Sequence, residues 1–188
     1  MKRKVIIVSD GDQIAKKAVE HVAHFVGGRC ISSSAGNPTP LNGKKIAEMI
    51  FSTPHDPVLV MIDDKGECGK GKGENALEYL IHHPLIEILG LVAVASNSNC
   101  KEKIEVDYSI DSTGRVISGS VNKDGVPVYV GLSGDAIELL KFKEVPVVIG
   151  TGDTGKMNGT DSENIGNPIT LKAVKEILIR SGYIVGES

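Results

Sequence analysis

Apolar residues in this chain follow two rhythms. Unbroken runs occupy residues 5–8 (VIIV), 58–62 (VLVMI), 89–95 (LGLVAVA) and 145–150 (VPVVIG). Such runs, rich in β-branched residues and without polar alternation, predict strands buried on both faces. Between them the period lengthens to that of a helix. Residues 12–26 carry Ile14, Ala18, Val22 and Phe25 near one face, with Ala15, Val19 and Val26 beside them. Residues 44–52, 75–83 and 168–180 repeat the pattern.

Breakers fall between these segments. Gly27-Gly28 stops the first helix, because glycine accepts the left-handed position beyond a helix end. Thr39 and Pro40 are expected as N-cap and first residue of the second helix. Pro54, Pro84 and Gly182 lie past later helix ends, and Asn167-Pro168 opens the last helix. A short second strand is expected over 29–32. From 104 the pattern changes to short strands at 104–111, 115–121 and 126–131, with Asp124-Gly125 as a hairpin turn. A short helix over 133–142 follows. Strands alternating with helices predict right-handed crossovers and a mostly parallel sheet. The expected fold is therefore α/β, Rossmann-like or Toprim-like, forming a single domain over 1–188 with 104–131 as an antiparallel β-meander insertion.

Composition narrows the function. The chain has 188 residues, 40% hydrophobic and 24% charged, with net charge −3, an ordinary globular balance. Aromatics make up 4% and tryptophan is absent, so stacking platforms for nucleic acid are not expected. Three cysteines, Cys30, Cys68 and Cys100, do not make a disulfide framework and fit a reducing compartment. No apolar run is long enough to span a bilayer. The cationic start MKRK leads into only four apolar residues before Asp10 and Asp12, which reads as a first strand rather than a signal peptide.

The chemistry concentrates where strands end. In an open parallel sheet, ligands bind beyond the carboxyl ends of the strands. Those ends read SDGD (9–12), DDKGECGKGKG (63–73), SNSN (96–99) and GTGDTGKMNG (150–159). The candidate ligand-binding residues are Asp10, Asp12, Asp63, Asp64, Lys65, Gly66, Lys70, Lys72, Asn97, Gly152, Asp153 and Lys156. Two of these loops approach the spacing of a phosphate-binding P-loop, at Gly66 to Lys72 and Gly150 to Lys156. Each lacks the following Ser or Thr that would hold Mg²⁺, having Gly73 and Met157 instead. Glu67 and Asp153 inside the loops would repel a triphosphate, so an NTPase is not expected.

Asp10, Asp63 and Asp64 are the candidate ligands for a hard cation, Ca²⁺ or Mg²⁺. Their placement resembles Toprim-type metal sites but departs from that pattern, which has a Glu after the first strand and Asp-x-Asp after a later one. Adjacent residues on a strand point to opposite faces, so only one of Asp63 and Asp64 is expected to reach a shared ion. The alternative for all these carboxylates is helix capping. His21 and His24 lie at the edge and back of the first helix's apolar face and read as solvated.

Five blocks together, KRKVIIVSDGD, GGRCISSSAGNPTPL, HDPVLVMIDDKGECGKGKGE, VAVASN and GTGDTGKMNG, resemble the soluble form of the stage V sporulation protein AE family of spore-forming Firmicutes. The resemblance runs nearly end to end. It implies an accessory protein of the SpoVA system, which moves calcium dipicolinate into the developing spore and out at germination. It also implies peripheral residence at the inner membrane of the spore or forespore, beside SpoVA-type membrane proteins. It supplies no catalytic residues. The expected function is non-enzymatic, with calcium or dipicolinate bound at the strand ends; the alternative is a Toprim-like, metal-dependent phosphoryl-transfer or nuclease enzyme. Nucleic acid is not an expected partner, and a homodimer through the edge strand of the meander is the candidate assembly.

Overall fold

The computed structural model describes residues 1–65, 71–96, 103–129, 131–133 and 145–183. The strands are β1 (Arg3–Val8), β2 (Arg29–Cys30), β3 (Val58–Met61), β4 (Ile86–Val94), β5 (Tyr108–Ile110), β6 (Val116–Ile117), β7 (Ser120–Val121), β8 (Pro127–Val128) and β9 (Val148–Thr151). Among the described residues the α-helices are α1 (Gln13–Phe25), α2 (Gly43–Ser52), α3 (Lys72–Ile81) and α4 (Pro168–Arg180).

The main sheet has seven strands in the order β2-β3-β1-β4-β9-β5-β6. Every pairing is parallel except the last, between β5 and β6. The class is α/β. Central strands are buried on both faces, as their unbroken apolar runs require. Val5 and Ile7 of β1 join Val58, Val60 and Leu91 in a core beneath α2 and α3, where Ile46, Ile50, Leu77 and Leu80 meet them. Ile6 and Val8 face the other way, with Leu59, Val92 and Ile149, beneath Val19 and Val22 of α1 and Val174 and Ile177 of α4. The result is three layers, helices on both sides of one sheet.

Several boundaries differ from the sequence reading, each for a local reason. Helix α1 turns Ala15, Ala18, Val19, Val22 and Ala23 inward and leaves Ile14 at 51% and Phe25 at 59% exposure. Its small residues let it lie close to the sheet, with the bulkier ones at the margin. Thr39 is not a cap. Its Oγ1 accepts from Asp63 N at 2.8 Å, and Asn42 caps α2 by accepting from Lys45 N at 2.9 Å. The expected meander divides. β5 joins the main sheet parallel to β9, β6 extends it antiparallel, and β7 with β8 forms a separate hairpin. Gly119, at φ +94°, separates β6 from β7; that backbone angle breaks an extended strand. The helix expected over 133–142 lies almost wholly outside the described residues.

The chain leaves β1 toward β2 on one side of the sheet and leaves β4 toward β5 on the other. Loops diverging from adjacent parallel strands open a crevice above their carboxyl ends. That crevice is where the strand-end residues gather.

Candidate functional site

A cavity of about 280 Å³ lies on this rim, lined by Ser9, Asp10, Asp12, Asn37, Asp63, Lys65, Val94, Ala95, Ser96, Lys123, Asp153 and Lys156. Six segments build it: the loops after β1, β2, β3, β4 and β9, and the β7–β8 hairpin. After β1, Ser9 Oγ accepts from Val94 N at 2.9 Å and ties the ends of β1 and β4 together. Asp10 Oδ1 accepts from Gly11 N at 2.7 Å and Asp12 N at 3.3 Å. Gly11 has no room for a side chain: a Cβ would stand 2.2 Å from Gly36 O and 2.9 Å from Asp63 Cβ. This close approach brings the loops after β1 and β3 together. Asp12 is the N-cap of α1, Oδ1 accepting from Ile14 N and Ala15 N at 2.8 and 2.9 Å.

After β3, Asp63 is clasped by Thr39 through both backbone groups, and its Oδ1 accepts from Lys65 N at 2.5 Å. After β9, Asp153 N donates to Lys123 O at 2.7 Å, so the β7–β8 hairpin leans over the sheet edge and brings Lys123 to the cavity. Gly152 makes that contact feasible, since a Cβ there would meet Lys123 O and Met157 Sδ, each at 2.6 Å. Lys156 Nζ donates to Asp12 Oδ2 at 2.5 Å and to Asp153 Oδ1 at 2.9 Å.

The electrostatics follow from these contacts. Lys156 is shared by two carboxylates, and their hydrogen bonds and charges raise its pKa although burial opposes this. Burial also pushes against ionisation of Asp12, but the Lys156 bond and the Ala15 and Ile14 amides outweigh it and lower its pKa. Asp10 has no such cation. Burial foremost, then the negative charges of Asp12 and Asp153, push its carboxyl up to about 7; the Asp12 amide and the charge of Lys156 offset them only in part.

Of the sequence-predicted residues, Asp10, Asp12, Asp63, Lys65, Asp153 and Lys156 meet in the cavity. Gly152 supports it from behind. Asp64 does not line it. Its two oxygens accept from Gly73 N at 2.6 Å and Glu74 N at 2.8 Å at the start of α3. A side chain at Gly71 would collide with that carboxylate, Cβ to Oδ1 being 2.3 Å. Asp64→Ala is expected to cost about 1–2 kcal/mol, the usual worth of a helix cap, read from urea unfolding; a loss within error of zero would contradict the capping role. Lys72 faces a different cavity, with Thr39, Asn42 and Tyr79. Gly66, Lys70 and Asn97 lie outside the described residues, as do Cys68 and Cys100. Among the described residues, no group of three or more His, Cys, Asp or Glu side chains is arranged to hold a metal ion, so Asp10, Asp63 and Asp64 do not form a three-ligand site.

Sequence reasoning missed Asn37 and Lys123 in the lining, had Ser96 only as part of the strand-end loop 96–99, and missed Asp161 altogether. Asp161 is fully buried. Its Oδ1 accepts from Ile169 N and Thr170 N at 2.8 and 3.0 Å, and its Oδ2 from Gly155 N and Thr170 Oγ1 at 2.8 and 2.5 Å. It caps α4 and anchors the loop that carries Lys156. Asn167, the residue expected to cap α4, makes no capping bond; its Oδ1 pairs with His21 Nδ1 at 2.9 Å.

Fold and cavity together define an α/β protein with a mixed-charge cavity at the carboxyl edge of a parallel sheet. A family model for stage V sporulation protein AE1 matches residues 4–181, and the chain belongs to that family. Its role is therefore in sporulation. No curated protein and no solved structure matches the chain. Among the described residues, no helix is long and apolar enough to cross a membrane.

Proposed function

We propose that this protein is a non-enzymatic accessory of the spore system that moves calcium dipicolinate during sporulation and germination, and that the rim cavity binds the calcium chelate. In this reading it works at the spore inner membrane, in contact with the membrane-embedded SpoVA-type proteins. One observation carries the ligand assignment: four carboxylates (Asp10, Asp12, Asp63, Asp153) and three lysines (Lys65, Lys123, Lys156) line one cavity. A calcium chelate presents both signs of charge. Dipicolinate supplies several of the oxygens that calcium requires, and a protein need add only one or two. Asp10 and Asp63 suit the cation, and Lys65 and Lys123 suit the outward carboxylates of dipicolinate. Ser96 Oγ is buried at the cavity edge with no hydrogen-bond partner among the described residues, and a ligand oxygen would satisfy it.

A phosphoryl-transfer enzyme of Toprim type is the weaker reading, because Asp64 directs both oxygens to the amides of α3. Isothermal titration with calcium dipicolinate, calcium chloride and sodium dipicolinate tests the proposal. The chelate is expected to bind more tightly than either component, and Asp63→Asn to weaken it by roughly tenfold or more, as loss of a charged ligand does. No heat at millimolar chelate with correctly folded protein would overturn it.

A further inference from the structure

A second cavity lies where α2 and α3 begin. Its volume is about 510 Å³, within the range that encloses small organic ligands. Pro40, Leu41, Ala76 and the ring of Tyr79 give it apolar walls, and Lys44 and Lys72 stand at its mouth. Among the described residues no acidic side chain lines it, in contrast to the rim cavity. Neither lysine is in an ion pair among the described residues. Lys45, next in the chain, is held by Glu48 instead.

The walls are built in. Gly43 lets the start of α2 press on α3: a Cβ there would stand 2.5 Å from Tyr79 Cβ and 2.8 Å from Ala76 O. Tyr79 thereby sits at the helix crossing, and its side chain is left 42% exposed. It also contacts the ring of His83, centroid to centroid 5.8 Å, on the side toward the helix end. An apolar recess with an exposed aromatic ring and two lysines outside any ion pair among the described residues is complementary to an anion with a flat apolar body. A bare inorganic anion would leave the walls unfilled, and a neutral hydrophobe would leave the lysines unused.

We propose that this recess is a second ligand site, distinct from the rim cavity, that takes a small aromatic carboxylate, its carboxylate between Lys44 and Lys72 and its ring against Tyr79 and Leu41. The site does not rest on the rim assignment, and the two fail separately.

The test uses 2-naphthoate as probe, followed by amide and aromatic shifts in NMR of the full chain. Saturable shifts are expected at Lys44, Lys72, Ala76 and Tyr79, with little change at Asp10 or Lys123. 2-Naphthalenemethanol, which lacks the charge, and inorganic phosphate, which lacks the ring, are each expected to bind at least roughly tenfold more weakly. The double variant K44E/K72E is expected to abolish naphthoate binding while its rim residues keep their wild-type shifts, which excludes misfolding. Equal binding of the neutral analogue would reduce the recess to an indifferent apolar surface. Shifts confined to the rim, or none at about 10 mM probe, an affinity too weak to matter, would overturn the proposal.

Discussion

Replacing Asp161 by alanine is expected to destabilise the fold by about 3–5 kcal/mol. The side chain is fully buried and accepts four hydrogen bonds. Bonds to a charged acceptor contribute more than neutral ones, and removing the acceptor leaves buried N–H groups with no water to turn to. Two of the donors are first-turn amides of α4, whose apolar face covers Val92, Val94 and Ile149. For a chain of this size the melting temperature should fall by about 10 °C. Asp161→Asn is a stringent control. It keeps one oxygen for Ile169 and Thr170 but turns an NH₂ toward Gly155 N–H, donor against donor, so it should recover only part of the loss. Differential scanning calorimetry of both variants checks the series; a loss below about 1 kcal/mol for the alanine would show that Asp161 is not the anchor of the 153–161 loop.

Asp10→Asn should act in the opposite direction and only at higher pH. The carboxyl of Asp10 is pushed from 3.8 to about 7. The folded chain therefore holds this proton more tightly than the unfolded chain does. Below the unfolded value both states are protonated and there is no penalty. As pH rises from there toward the folded value, the unfolded state releases its proton first, and stability falls until both states are ionised. Asparagine cannot ionise, and its carbonyl oxygen can still accept from Gly11 N and Asp12 N. The variant should therefore gain on the wild type by about 2 kcal/mol between about pH 5 and about pH 8. Urea unfolding at the two pH values measures the gap, and a gap that does not change with pH would contradict a buried, uncompensated carboxyl. The same substitution should weaken the calcium chelate in the rim cavity, so stability and binding would move in opposite directions, as expected where a site is maintained at the expense of the fold.

Much of this architecture is legible in residue order because the signals are strong and local. VIIV and VLVMI can be satisfied only between two helical layers, and parallel strands must present their carboxyl ends together. That reasoning places Asp10, Asp12, Asp63, Asp153 and Lys156 on one rim before any coordinate is seen. What escapes it is direction and distance. Period alone assigns Ile14 and Phe25 to the inner face of α1 with Ala18 and Val22, whereas only the latter two are buried there. Asp63 and Asp64 are neighbours with separate duties, one facing the cavity and one a helix start. Lys72 shares a loop with Lys65 in sequence, but α3 carries it to another side. Lys123 reaches the cavity from a hairpin that no local rule connects to β9, and Asp161 caps a helix from outside the usual capping position.

The two margins of the sheet have a consequence of their own. β2 and β6 are each two residues long, and the second is cut short by the turn at Gly119. Strand ends this brief give another chain almost no backbone to zip against, so head-on sheet extension between copies is a poor route to assembly. Side chains on the helical flanks and the loops then offer more to a partner than these two backbone edges do.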